Sequence, residues 1–94
     1  MIKLVAPEQI TLGVPFDVEF ESDQRASGRL RLTAGTNNIH FTLEREGKEP
    51  AHGESPRIRG KKGTFRISAW GMHTVGTELV LRFEGAKAWM TVQA

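Results

Sequence analysis

The chain has 94 residues, a formal net charge of +2 and no cysteine. This length predicts a single domain over residues 1–94, and the missing cysteines exclude disulfides and thiolate metal sites. A hydrophobic fraction of 38% excludes global disorder, and a pI near 9.4 permits an anionic partner without requiring one.

The first residues, from Met1 to Pro7, lack the basic segment and long apolar run of a signal peptide. No stretch approaches the roughly 20 apolar residues that a membrane helix needs. We therefore expect a protein that is made in the cytoplasm and does not insert into a membrane. Assembly into a virion or onto a cell surface would then need another route.

Apolar and polar residues alternate with a period of two along most of the chain, and no capped pattern of helical period occurs. Because successive side chains of a strand face opposite ways, each run predicts one buried and one exposed face. The predicted inward-facing residues are Phe16, Val18, Phe20, Leu30, Leu32, Ile39, Phe41, Leu43, Phe65, Ile67, Ala69, Leu79, Leu81, Phe83, Ala88, Met90 and Val92.

Turn residues separate these runs. The predicted breaks fall at Gly13 with Pro15, Ser22-Asp23, Ser27-Gly28, residues 35–38, Gly47, Gly71, Gly76 and Gly85. With Ile2 to Val5 and Ile10 to Leu12 added, the count is about seven short strands or a little more. This number in a chain of this length predicts an all-β, antiparallel sandwich of the immunoglobulin-like kind, and a small barrel is the competing closure.

The segment 46–63 breaks the alternation. It contains Pro50, Pro56 and many charges, and Ile58 is its only plausible core residue. A stretch of this length without periodicity predicts a long charged loop, with room for a short edge strand around 57–59.

Both ends of the chain resemble bacterial immunoglobulin-like domains. The resemblance rests on Ala6-Pro7, Ile10 to Gly13 and Pro15 to Val18 at the start, and on Lys62 to Ala69, Gly76 to Leu79 and a last strand closing on Val92. Such domains occur as repeats in adhesins and as modules of tailed-phage virion proteins. The resemblance implies a sandwich used for display, spacing or adhesion, and it supplies no functional residues. The cysteine pair and the tyrosine corner of antibody-type domains are both missing.

No catalytic or metal-binding pattern is present. His40, His52 and His73 are not spaced as metal ligands. Asp17 and its neighbours on the same strand face predict a flat acidic surface, not the cleft that paired catalytic carboxylates need. We expect these acids to pair with Arg66, and we expect Arg29 and Arg31 to face Glu78 or Glu84. The sequence therefore predicts no enzyme activity and no cofactor.

Two regions are candidates for contact with a partner. The position of a residue in the alternation of its strand, which we call its parity, predicts that Trp70, Val80, Arg82 and Trp89 face outward. Exposed Trp together with Arg is typical of interface hot spots. The sequence leaves two alternatives open. A bulge would turn Trp89 into the core, and Trp70 would instead plug the end of the sandwich.

The second region is the basic cluster Arg57, Arg59, Lys61 and Lys62. It predicts either an anion-binding site or solvated charges that protect a sheet edge. The nearest aromatic residue is Phe65, which is assigned to the core. This argues against nucleic acid as the partner, because single-strand binders combine such charges with exposed aromatics.

We therefore expect a non-enzymatic immunoglobulin-like binding or structural module, set in a phage virion or a bacterial surface assembly. Its partner would be a protein or a cell or virion surface. The alternatives are a carbohydrate-binding module that uses exposed Trp70 and Trp89, and a polyanion-binding domain that uses the basic segment 57–62.

Overall fold

The computed structural model describes residues 1–45, 50–53, 56–71 and 74–93, and within these ranges it contains nine strands and no helix. The all-β prediction is confirmed, and nine strands are close to the predicted count of about seven or a little more. In chain order the strands are β1 (Ile2–Val5), β2 (Gln9–Ile10), β3 (Phe16–Ala34), β4 (Asn37–Asn38), β5 (Phe41–Glu44), β6 (Ala51–Gly53), β7 (Arg57–Ala69), β8 (Glu78–Phe83) and β9 (Ala86–Val92).

The strands form one curled, mixed sheet with the shape of a half-barrel. The first half-sheet contains β1, the beginning of β3, β7, β5 and β6. The second half-sheet contains β2, β9, β8, the end of β3 and the short β4. The pairing of β2 with β9 is parallel, whereas the prediction was a purely antiparallel arrangement.

The long strand β3 belongs to both half-sheets because its pairing with β7 shifts at a bulge. Glu21 lies opposite Lys62 and Ala26 opposite Gly60, so four residues of β3 face one residue of β7. Gly60 has a φ of 129°, which residues with a side chain rarely adopt. A bulge bends and twists a strand, so β3 turns from one half-sheet into the other without leaving the sheet.

The turns predicted at Ser22-Asp23 and Ser27-Gly28 are therefore wrong. Ser22 pairs with β1 and Ser27 pairs with Arg59 of β7, so the backbone stays extended through both sites. Polar turn-forming residues mark a turn only when no neighbouring strand offers hydrogen bonds to them.

Most of segment 46–63 also differs from the predicted loop. Residues 57–63 lie in β7 and residues 51–53 in β6, while residues 46–49 and 54–55 lie outside the described ranges. Ile58 is buried opposite Gly28, as a core residue should be. The strand that the sequence left open around residues 57–59 is thus present as the start of β7, and one inward apolar residue beside the bulge at Gly60 is too little alternation to indicate the full length of β7.

The inward faces of the strands meet in one core, and every residue predicted by parity to face inward is in it or packed against it. Phe20 joins the two half-sheets. Its ring stacks on Phe65 of β7 with centroids 5.5 Å apart and meets the edge of Phe83 of β8 at 5.2 Å. The strand register is thus set by burial, since a slip by one residue would expose this entire set.

Gly63 is a position where this packing forbids a side chain. It lies opposite Phe20, and a Cβ there would be 2.9 Å from Cε1 of Phe20 and 3.3 Å from Cζ of Phe65. Because Phe20 is packed on both sides, we expect Gly63→Ala to lower the free energy of unfolding by about 1–3 kcal/mol. Urea denaturation measures this. Thr64→Ala, at the next and exposed position, should stay within about 0.5 kcal/mol. Equal stability of both variants would contradict the aromatic packing.

Candidate functional site

Positive charges collect on the outer face of the sheet beyond the bulge, where the end of β3 lies between β7 and β8. Arg31 of β3 lies directly opposite Arg82 of β8, which lies opposite Lys87 of β9. Two residues back along β3, Arg29 lies opposite Arg57 of β7. We call these five residues the basic face. Side chains directly opposite in a sheet have Cβ atoms about 4.5–5.5 Å apart, and like charges in such pairs are destabilising.

On the other side of the bulge, the first half-sheet has the opposite pattern. Glu21 lies between Lys3 and Lys62, so cation, anion and cation alternate across three strands. Arg66 lies opposite Asp17, with Nε 3.4 Å from Oδ1, so the predicted pairing of these two residues is confirmed. Complementary rows are the ordinary arrangement on an exposed sheet face. The single-sign rows of the basic face are therefore a local exception.

The predicted pairing of Arg29 and Arg31 with Glu78 is wrong, whereas Glu84, the other predicted partner, lines the same groove as both arginines. The register places Arg31 opposite Arg82 and Arg29 opposite Arg57, while Glu78 lies opposite Thr91 at the other end of β8. Parity assigns a residue to a face of a strand but does not say which residue of the next strand lies beside it. The like-charge rows were for this reason invisible in the sequence.

The basic face lines an open groove with a volume of about 480 Å³. Several guanidinium groups are steadied there by neutral oxygens. Arg82 Nε donates to Thr33 Oγ1 at 3.2 Å, and Arg57 Nη1 donates to Ser27 Oγ at 3.4 Å. Neutral acceptors orient a guanidinium without cancelling its charge. These contacts therefore leave the positive charges of Arg82 and Arg57 in the groove.

Glu84 is the one carboxylate among the described residues that line this groove. It occupies a two-residue hairpin turn with Gly85, and both have positive φ, 47° and 86°, as a type I′ turn requires. Its side chain lies against Gly28, where an added Cβ would overlap the carboxylate. The glycine of β3 thus makes room for a single acid at the margin of the basic face.

Trp89 lies on the same outer face, and its exposure, which the sequence left open, is resolved. It is 57% exposed, while its neighbours Ala88 and Met90 point into the core. It stands two residues along β9 from Lys87, on the side away from the turn. The most exposed aromatic side chain of the described ranges therefore borders the basic row.

Val80 was predicted to share this contact surface, and the structure corrects that assignment. Val80 faces outward as parity predicted, but only 9% of it is exposed. It lies between Trp89 and Thr33 in one cross-strand row, and Arg82 reaches diagonally to Thr33 alongside it. Its neighbours cover it, so Val80 supports the surface and offers little area for contact.

Trp70 lies elsewhere. It follows the end of β7 in the first half-sheet and is 50% exposed, and its Nε1 donates to Thr42 Oγ1 at 3.0 Å. The strands β8 and β3 separate β7 from β9 in the sheet. The structure therefore brings Arg82 and Trp89 together but does not bring Trp70 to them.

The basic cluster of the sequence is divided at Gly60. Arg57 belongs to the groove, and Arg59 faces the same way opposite Ser27. Lys62 faces Glu21 on the first half-sheet, and Lys61 is exposed at the bulge. The residues that sequence reasoning missed as a site are Arg29, Arg31 and Lys87. Their signal was their place on the polar faces of strands that proved to be close.

The described residues offer little else for chemistry. No three His, Asp or Glu residues among them converge as metal ligands, and no described helix is long and apolar enough to cross a membrane. His73 and the side chain of His52 lie outside the described part.

The Met1 ammonium lies 2.7 Å from Oδ1 of Asp23 and holds the pKa of that carboxyl below its usual value. This ion pair lies at the bulge and not at the groove.

Comparisons with protein-family models, curated proteins and solved structures gave no match. The interpretation of the basic face therefore rests on its own geometry.

Removing the acid of the groove tests this electrostatic description. Glu84→Gln keeps the side-chain shape and the turn, so it changes charge alone. We expect the free energy of unfolding at low salt to fall by about 0.2–1 kcal/mol, with the loss fading as salt is added. Urea denaturation in low and high NaCl measures it. Glu78→Gln, opposite the neutral Thr91, is the matched control. An equal effect of both substitutions would contradict a concentration of positive charge at the groove.

Proposed function

We propose that this chain is a non-enzymatic binding module that attaches to an anionic partner through the basic face. The observation that carries the proposal is the row Arg31, Arg82 and Lys87, joined by Arg29 and Arg57 in one groove. A polyanion placed there would offset the repulsion between neighbouring cations by its own attraction to each of them. Planar guanidinium groups also match the geometry of phosphate, sulfate and carboxylate groups.

The immunoglobulin-like architecture is part of this proposal. The order β1, β3, β7, β5 in the first half-sheet supports it, because it matches the A-B-E-D sheet of a constant-type domain. The order β9, β8, β3 in the second half-sheet matches G-F-C. The chain departs from that pattern in having one continuous strand serve as both B and C. We further propose a virion or a bacterial surface assembly as the setting, on the strength of the resemblance in the end strands.

A carbohydrate platform has weaker support. Stacking a sugar chain on two tryptophans needs both rings on one surface, and Trp70 and Trp89 belong to different half-sheets. The polyanion alternative gains support with a different set of residues. The cations proposed to bind the anion are Arg57 and those of β3, β8 and β9, and Lys61 and Lys62 have no part in it.

Heparin-agarose chromatography with a salt gradient tests anion binding directly. We expect the wild-type protein to be retained and the double variant Arg31→Gln/Arg82→Gln to elute at clearly lower salt. The double variant lacks two of the three cations of the row, so fewer counterions are released on binding.

The matched control is Lys3→Gln/Lys62→Gln, which removes the same charge from the first half-sheet. It should elute close to the wild type. Equal losses in both double variants would show that only net charge matters. No retention of the wild type at low salt would remove the proposed function altogether. Thermal unfolding followed by circular dichroism confirms that each variant is folded.

A further inference from the structure

The basic row and Trp89 share one face, and together they indicate a more specific ligand. We propose that this face binds single-stranded nucleic acid, with phosphates along Arg31, Arg82 and Lys87 and a base stacked on Trp89. The inference rests on the proposed function and adds the chemical class of the anion. Sequence-neutral single-strand binders combine these two elements, a cationic groove for the backbone and an aromatic ring for the bases.

The dimensions of the sheet suit such a ligand. Neighbouring strands are about 4.8 Å apart, so the row from Arg31 to Lys87 spans about 10 Å across β3, β8 and β9. Trp89 is displaced from Lys87 by two residues along β9, or about 7 Å. A backbone crossing the strands along the row would carry its bases to one side, where the indole is exposed.

Other anionic macromolecules would contact the cations of this face but would not stack on Trp89. A duplex keeps its bases stacked inside, so Trp89 would have nothing to stack on. An acidic protein segment supplies charge for the row but no broad π-face for the indole. The exposed ring beside the cations is the feature that favours single strands.

The sequence alone pointed away from nucleic acid, because the aromatic nearest to residues 57–62 is the buried Phe65. The fold supplies the missing aromatic from a distant part of the chain. The pairing of β8 with β9 brings Trp89 next to Arg82 and Lys87, in the row that Arg31 of β3 continues. An exposed aromatic ring therefore does lie beside cations on this face, and the reason for disfavouring nucleic acid does not apply here.

Fluorescence of a variant with one tryptophan tests the stacking. The chain has two tryptophans, so Trp70→Phe leaves Trp89 as the only indole. We expect titration with an oligothymidylate to quench its emission, and titration with heparin to leave it nearly unchanged. Heparin retention without quenching by the oligonucleotide would overturn this inference and leave the proposed function standing. Failure of both ligands to bind would overturn both.

Fluorescence polarisation with a labelled oligothymidylate measures the contribution of each ring. Trp89→Ala should weaken binding by about 5- to 100-fold. Trp70→Ala, which removes a comparably exposed indole from the first half-sheet, should leave it unchanged. The logarithm of the wild-type association constant should fall with the logarithm of salt concentration with a slope of about −2 to −3.5, as three to five phosphate contacts predict.

The same assay separates the other ligand classes by competition. A duplex of matched length and polyglutamate should each displace the labelled strand poorly. If the duplex competes as well as the single strand, or Trp89→Ala binds like the wild type, the stacking proposal is wrong. If polyglutamate competes best, the ligand is an acidic protein surface and this inference is again overturned.

Discussion

The pairing of β3 with β7 on both sides of one bulge is the constraint on which the rest of the molecule depends. It lets a single strand of 19 residues serve two half-sheets. It also carries Arg29 and Arg31 of β3 next to Arg57 on one outer surface. Gly60 lies at this bulge with a φ of 129°, a backbone conformation that residues with a side chain rarely adopt. The core and the basic face are thus consequences of the same local geometry.

The core was predictable from the sequence because burial acts on each strand separately. The alternation predicted that the side chains of Phe20, Leu32 and Met90 face inward, and the structure confirms these positions. The sequence left a short edge strand around residues 57–59 open, but its continuation into the 13-residue β7 was not predictable, since one apolar residue beside a bulge makes no alternation. The bend of β3 was missed for the opposite reason. Its polar residues look like turns, and only the adjacent strands keep them extended.

The candidate site was predictable only in fragments. Parity placed Arg82 and Trp89 outward, and the density of charge drew attention to Arg57. Their assembly into one surface depends on strand order and register, which a single sequence does not contain. Lys62, close to Arg57 in sequence, belongs to a different surface because the bulge separates them. Proximity along the chain was therefore a poor guide to proximity in space.

The contrast between the two sides of the bulge carries the functional interpretation. Charges alternate across β1, β3 and β7 before the bulge in β3, as selection for stability alone would favour, and like charges repeat across β7, β3, β8 and β9 beyond it. Natural sequences break such local rules mainly where function demands it. A repulsive row of cations is understandable if a ligand supplies the missing negative charge, and an exposed Trp89 beside it suits the same purpose.

The most direct test is the salt dependence of stability without any ligand. The free energy of unfolding in urea should rise with NaCl concentration in the wild type, because salt screens the row Arg31, Arg82 and Lys87. Arg31→Glu should begin about 0.2–1 kcal/mol more stable at low salt and lose this advantage as salt is added. A wild type insensitive to salt, together with an Arg31→Glu variant less stable than it, would contradict the account.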